Sequence, residues 1–561
     1  MPYNKITNGF EIKDFRGVQV TELARRIGVR VDEIYPYGNY IAKVSSSVLE
    51  RIKHRPDAKL ILVTGLTPTK LGEGKTTISI GMSEALGLMK KKAVLCLREP
   101  SVGLLFSRKG GGCGGGKARV IPNIDIGLQF TGDFYSVSLA HNLVSSVIDN
   151  HLYWGNELRI DPQEICWPRT TELCDRALKK VKIGCAAPKG HERSEDFQMT
   201  GASEIMTILA VSETIEELKN RLSNIIVAYT ADKKPVRVCD FKGLADTLTV
   251  ILHKALHPNL VQTQEGQPVF VHTGTFANLS IGSPSIISIK LAMKLADYVV
   301  VEAGFGSDLG AEKFFDIVCK KASLNPAAVL IVVSTRALKV HGGKPLAQAD
   351  KEDIKALAQG FENLERHIAI LKTFGVSVVV AINKFQFDVE QELNIIREHC
   401  ALIGVKAFVA DVFSKGGHGA EELCREVLSI AQREKSIPCN FTYAHTLSPE
   451  EKIAALAKKI YAAEEVIYSN KARADLEHIK KLGCGTLPVC IAKTQFSLTQ
   501  DPRVLGKPTP WNMVIGGVKL YAGAGIIIPV LGELSFLPGM PKTPAVSKIK
   551  LEDDLSVSGP F

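Results

Sequence analysis

The sequence predicts an α/β protein: a mostly parallel sheet with helices on both faces, followed by smaller α/β domains toward the C-terminus. Two features point there. Short, β-rich apolar segments recur from Lys59 onward, and stretches with helical spacing separate them. "KLILVTG", "KAVLCLRE", "DYVVVEAG", "AAVLIVVS" and "VSVVVAIN" are largely unbroken by polar residues. Strands read this way when helices cover both faces, because neither row of side chains meets water. Between them, "SIISIKLAMKLA" and "KEDIKALAQGFENLERHIAILKTF" repeat apolar residues at helical intervals. This alternation gives a doubly wound sheet, whose ligands sit at the carboxyl ends of its strands.

The loop after the first of these strands lies in "ILVTGLTPTKLGEGKTTISIGMSEAL". Gly74-Lys75-Thr76 supplies the second half of the phosphate-loop pattern, and Thr69 stands where the leading Gly belongs. Backbone N–H groups of Gly72, Glu73 and Gly74 are placed to curl around phosphate oxygens, flanked by Thr69 and Thr77. Lys75 then bridges the β and γ phosphates, and Thr76 ligates Mg²⁺ at the start of the next helix. The competing reading is a strand-to-helix turn with a solvated lysine. Placement between a buried strand and a helix favours the cradle, so the sheet is expected to be of the P-loop NTPase type.

Later loops are less explicit. The glycine run from Gly110 to Gly116 is flanked by Arg108, Lys109, Lys117 and Arg119, which suits either an anion cradle or an unstructured loop. "YVVVEA" leads into "GFGSDLGAEKFFDI". "NKFQ" (Asn383 to Gln386) approaches a guanine-reading Asn-Lys-x-Asp, but Gln386 occupies the position of the required Asp, which excludes guanine specificity. From about Leu447 a charged helix, "PEEKIAALAKKIYAAEEVIYS", precedes Gly/Pro-punctuated short strands. A smaller terminal domain is expected there, with its boundary between Ser436 and Leu447.

Composition bounds the function. The chain has 561 residues, 45% of them hydrophobic and 23% charged, which is enough to bury a large core in two to four domains. Its 69 Lys and Arg exceed 59 Asp and Glu, a net charge of +10 that suits anionic small molecules. No arginine-rich tract or aromatic-interleaved basic stripe marks a nucleic-acid partner. The apolar runs fall short of the roughly 20 residues a membrane span needs. The N-terminus has no apolar core or cleavage site for secretion, and the 12 cysteines form no C-x-x-C pair. A cytoplasmic protein with reduced thiols and neither zinc nor disulfides is expected.

Longer motifs carry a resemblance. "VDEIYPYGNYIAKVSSSVLERIKHRPDAKLILVTGLTPTKLGEGKTT" is followed in order by "LREPSVG", "FTGDF", "AHNL", "IDNH", "FVHTGTFAN", "LADYVVVEAGFGSDLGAEKFFDI", "RALKVHGG", "LPVCIAKTQFSL" and "LPGMPKTPA". This series, spanning nearly the whole chain, closely resembles the formate–tetrahydrofolate ligase family. That family also has Thr-Pro-Thr-Pro in place of the leading Gly.

The resemblance implies synthesis of 10-formyltetrahydrofolate from formate, ATP and tetrahydrofolate by way of formyl phosphate. It implies Mg²⁺, activation by a monovalent cation (K⁺ or NH₄⁺) and a homotetramer. Residues 1–360 would form the large ATP and formyl-phosphate domain, 361–446 an α/β domain contributing to the folate site, and 447–561 the smaller C-terminal domain. Arg98 falls on the family position that holds the acyl phosphate. Glu99 joins it, where a carboxylate beside anions needs a partner or a cation. Phe305, Phe385 and Phe413 match the rings that sandwich the pterin, and Asp308 is placed to hydrogen-bond the pterin's polar edge. Several positions depart from the family. Histidine is expected at Gln129, Tyr135 and Ile281, Cys-Asn at Ser283-Pro284, Tyr at Lys117 and Trp at Phe413, whereas His141 and His272 remain. Two alternatives stay open: a diverged paralogue that activates another small carboxylate or binds without turnover, and a partner-docking ATPase switch, which leaves the folate-side motifs unexplained.

Overall fold

The computed structural model describes residues 17–107, 112–185, 191–433, 438–552 and 557–559. Arg108, Lys109, Gly110, Gly111 and Ser436 lie outside the described residues, as does the N-terminus through Arg16.

The architecture is α/β around one large sheet. Its strands are β1 (Ile34–Pro36), β2 (Ala42–Val44), β3 (Lys59–Gly65), β4 (Ala93–Leu97), β5 (Gly114–Gly115) and β6 (Ala118–Ile121). They continue with β7 (Asn259–Thr263), β8 (Pro268–Val271), β9 (Tyr298–Gly306), β10 (Pro326–Val333), β11 (Val378–Asn383) and β12 (Lys406–Ala410). The order is β1-β2-β7-β8-β4-β9-β3-β10-β11-β12, with the β5–β6 hairpin on β7. From β8 to β12 every neighbouring pair is parallel. The apolar segments expected as strands are β3, β4, β9, β10 and β11, and they lie side by side in the middle of the sheet.

Alternation explains why these strands lack polar residues. Leu60 and Leu62 of β3 join one core with Val299, Ile331 and Ile382. Ile61 and Val63 point the other way and join a second core with Val300, Leu330 and Ala381. Helix α1 (Lys75–Leu88) covers the second face through Ile78, Met82 and Leu86. On the first face pack α2 (Asp133–Tyr153), α3 (Ile286–Leu295) and α4 (Ile354–Thr373). Residue 360, the expected domain boundary, falls inside α4, and β11 and β12 continue the same sheet.

The C-terminal region adds a sheet of its own, β13 (Val466–Tyr468), β14 (Met513–Tyr521) and β15 (Ile526–Leu531). The charged helix expected over 449–469 begins at Pro449 behind a Ser448–Glu451 capping box. It ends at Tyr461, where Ala462 turns left-handed at φ +52°. The β-favouring Val466, Ile467 and Tyr468 then pair with β14 instead.

Candidate active site

The phosphate loop joins β3 to α1. Gly72 and Gly74 take φ of +82° and +75°, which other residues adopt only with strain. A Cβ on Gly74 would lie 2.1 Å from Asn383 Nδ2. That amide donates to the Glu73 carbonyl at 3.1 Å, so the asparagine of the rejected guanine motif clamps the loop. Gly65, at the end of β3, leaves room for the Lys75 chain, whose Cδ would be 3.2 Å from a Cβ there. Thr76 and Thr77 sit half-buried in the first turn of α1.

The missing glycine has a structural counterpart. Thr69 donates to Glu73 Oε1 through both its backbone N–H and its hydroxyl, each at 2.8 Å. The same hydroxyl accepts from Leu71 N–H at 3.1 Å. Ser334, beyond β10, donates to the other Glu73 oxygen at 2.6 Å. The loop is thus closed by side chains. Glu73 supplies its buried strut, a role its place in the motif does not reveal.

Beyond β4, Arg98 donates to the Thr275 carbonyl at 2.9 Å, and its Nη2 lies 3.8 Å from Glu302. Its Nε has no partner among the described residues. Gly304 permits this approach, since a Cβ there would lie 2.9 Å from Nη2. Glu99 is only 3% exposed, and neither carboxylate oxygen finds a partner among the described residues. Burial and then the Asp133 charge push its pKa well above the usual carboxylate range, against the pull of Lys43. Burial thus favours the protonated form of Glu99, which could donate. Lys43 itself is spent on Asp133, in a fully buried ion pair of 2.7 Å.

The remaining predicted residues follow neighbouring strands. Phe305, near the end of β9, is half-buried and left-handed at φ +60°. Asp308 is buried, with its carboxylate 3.0 Å from Lys493 of the C-terminal region. Phe385 follows β11 and lies parallel to Phe387 at 5.5 Å, and the Arg336 guanidinium stands 3.9 Å from its ring centre. Phe413 follows β12 and is 49% exposed. It explains the last glycines of the run: a Cβ on Gly116, itself at φ +60°, would lie 2.1 Å from the Phe413 carbonyl oxygen. Strand order sets the phosphate loop between the Phe305 loop and the Phe385 loop along the carboxyl edge.

The departures are spread out. Tyr135 is 76% exposed, Gln129 is buried at φ +64°, and Ile281 is core. Lys117 is exposed and donates its backbone N–H to Phe413 at 2.9 Å. Ser283 is buried, its hydroxyl donating to the Pro284 carbonyl at 3.1 Å. The surviving histidines are fixed by identical devices. His141 meets the Pro168 carbonyl at 2.6 Å and Ser203 at 2.8 Å; His272 meets the Ala255 carbonyl at 2.7 Å and Ser285 at 2.6 Å. Each Nε2 faces a carbonyl, which can only accept, so in the neutral ring Nδ1 accepts from the serine hydroxyl, whose oxygen also accepts a helix N-terminal N–H. Nε2 then carries the imidazole proton, and burial pulls the two pKa values down to about 3 and about 4. Both rings are neutral and fully engaged.

A mostly parallel sheet with a glycine-bearing loop entering its central helix defines the class of phosphate-loop α/β proteins. Within that class the match is specific. The model of the formate–tetrahydrofolate ligase family matches residues 10–561, and the chain belongs to that family. Formate–tetrahydrofolate ligase of Granulibacter bethesdensis is 43% identical over 96% of this chain and 94% of its own length. The protein of the same name from Ruegeria pomeroyi is 43% identical over 98% of both chains.

Proposed function

We propose that the protein ligates formate to tetrahydrofolate at the expense of ATP, through formyl phosphate. The observation that supports this reading is the loop between β3 and α1, with Gly72 and Gly74 at positive φ, Lys75 opening the helix and Arg98 following β4, in a chain of this family throughout. A formate oxygen attacks the γ-phosphorus and ADP leaves; the N10 amine then attacks the formyl carbon, phosphate leaves, and the amine proton is released. Both reactants of the first step are anions. Lys75 and the N–H groups of the loop cancel charge on the transferring phosphoryl group, and Arg98 holds the acyl phosphate. The carboxylic acid of Glu99 donates to an oxygen of that intermediate without adding negative charge. The second step needs alignment above all, which Phe305, Phe385 and Phe413 supply as flat faces for the pterin. Asp308 keeps one carboxylate oxygen for the pterin edge while the other faces Lys493.

The Thr76 hydroxyl suits Mg²⁺, which takes one or two protein ligands besides substrate phosphates. When bound, the ion neutralises charge on the β and γ phosphates. Activation by K⁺ or NH₄⁺ and a homotetramer belong to the same reading, tested by turnover in each salt and by light scattering. A cytoplasmic location belongs to the same reading, and the twelve cysteines without a disulfide are compatible with it. Formate-dependent ADP release, with 10-formyltetrahydrofolate as product, decides the whole. Loss of histidine at Gln129 and Tyr135 favours a second reading, a paralogue for another small carboxylate. ADP release that depends on acetate or another short acid, and not on formate, would establish it.

A further inference from the structure

Beyond β9 the chain enters two π-helical segments, Ser307–Ala311 and Phe314–Cys319. Such wide turns are frequent at functional sites. Two residues from the C-terminal region grip the first of them. The Lys493 ammonium, wholly buried, lies 3.0 Å from Asp308 Oδ2 and donates to the Thr494 carbonyl at 3.0 Å and to the Ser497 carbonyl. It stands 5.4 Å from the centre of the Tyr461 ring. Tyr461 in turn donates its hydroxyl to the backbone carbonyl of Asp308 at 2.8 Å. Asp308 is therefore held at two points, by its carboxylate and by its main chain. Three residues upstream, Phe305 keeps a left-handed backbone at φ +60°, which a bulky side chain holds only when its surroundings fix it.

An ion pair this deeply buried is a poor device for stability alone. Desolvating both charges offsets most of their attraction, and a hydrophobic pair of the same volume would serve as well. What the pair does supply is a single allowed place for Asp308. We infer that Lys493 and Tyr461 are positioning residues for the Phe305–Asp308 loop, through which the C-terminal region sets tetrahydrofolate affinity independently of ATP. This rests on the folate-side reading given above.

The test is calorimetric titration of the full chain with tetrahydrofolate and, separately, with ATP, for the natural protein, Lys493→Met and Tyr461→Phe. KM for each substrate is measured alongside. Tetrahydrofolate binding should weaken on the order of tenfold in Lys493→Met and about threefold in Tyr461→Phe, losses of the size expected for a charged and a neutral hydrogen bond. The ATP constants should stay within about twofold, because the hydrogen bonds, ion pair and ring contact of these two side chains go to Asp308, Thr494, Ser497 and each other, and none of them to the phosphate loop among the described residues. Parallel weakening of both ligands, or no change in either, would make the pair a structural bolt and overturn the inference. Should Lys493→Met fail to fold, Tyr461→Phe decides, since it removes one hydroxyl and leaves the ion pair intact. A natural chain that binds no tetrahydrofolate would instead overturn the folate reading itself.

Discussion

Ser334 donates a 2.6 Å hydrogen bond to the carboxylate of Glu73, and through it the end of β10 holds the phosphate loop against the sheet. The other Glu73 oxygen takes both donors of Thr69. Glu73→Ala removes three hydrogen bonds at once, each worth about 1 kcal/mol net. Part of that loss falls on stability and part on the preorganised loop. ATP affinity should fall about tenfold, with a lower midpoint in thermal unfolding. Glu73→Gln, which keeps an acceptor oxygen, should lose less on both counts. Titration with ATP beside calorimetric melting checks it, and an unaltered ATP affinity in Glu73→Ala would show that the loop closes without its strut.

Lys75→Ala should leave the fold intact and cost formate-dependent ATP cleavage on the order of 10² to 10³ in rate. The side chain leaves α1 at its first turn and runs back over Gly65, so little of the core depends on it. ADP release and circular dichroism are the measurements. A folded variant with near-normal turnover removes Lys75 from the mechanism.

Phe385→Ala should weaken tetrahydrofolate binding about tenfold, the loss of one stacking contact, and leave ATP affinity nearly unchanged. Arg336 steadies the ring from 3.9 Å, and Asp388 accepts the Phe385 backbone N–H at 2.8 Å, so truncation does not release the loop. Fluorescence titration of each ligand separates the outcomes. Equal weakening of both would make Phe385 a packing residue.

Much of this was legible in the sequence because it depends on short-range pattern. Unbroken apolar runs mark the central strands, and Gly74-Lys75-Thr76 marks the tight loop between β3 and α1, since both are written in consecutive residues. What escaped was carried by partners far along the chain. Asn383 clamps Glu73 across 310 positions, and Ser334 reaches it across 261. Lys493 meets Asp308 from the C-terminal region. Spacing carries no signal for such pairs. The defect at Thr69 was visible as a broken motif, but its repair required the positions of Glu73 and Leu71. The sequence shows only that His141 and His272 remain, and their buried carbonyl and serine partners point to structural roles.

Glu204 offers a pH-dependent check on the packing of the C-terminal region. One of its oxygens accepts from Gly523 and Ala524 N–H at 2.7 and 3.1 Å, and burial pushes its pKa up to about 8. The folded state thus holds a proton that the unfolded chain releases near its ordinary 4.5. Its contribution is fully present below that value and is lost as pH rises toward 8, by roughly 1.4 kcal/mol per pH unit. Glu204→Gln keeps the acceptor and cannot ionise. Urea unfolding at pH 5 and pH 8 should therefore show the variant gaining on the natural chain as pH rises. A constant difference would place the titrating proton elsewhere.

The last prediction concerns Gln129 and Tyr135, where histidine is expected from the family resemblance. Neither carries an ordinary proton relay near neutrality: an amide does not titrate, and a tyrosine starts near pH 10. Nor do the remaining histidines stand in for them. His141 and His272 have both ring nitrogens engaged in the core, with pKa values pulled down to about 3 and about 4. Tyr135, 76% exposed on the first turn of α2, is free to change without disturbing the core, and Gln129 has an unpartnered Nε2 among the described residues. If charge cancellation by Lys75, Arg98 and bound Mg²⁺ dominates the first step, the natural chain turns over with formate. Gln129→His with Tyr135→His should then change the rate by no more than about threefold, and the rate–pH profile should gain no acid limb near 6.5. If instead proton transfer at these positions limits the reaction, the double variant should be faster by something like 10² and acquire that limb. Turnover against pH for both proteins decides between them. A natural chain inert with formate and awakened by the two histidines would move the assignment to a paralogue that has given up this acid–base chemistry.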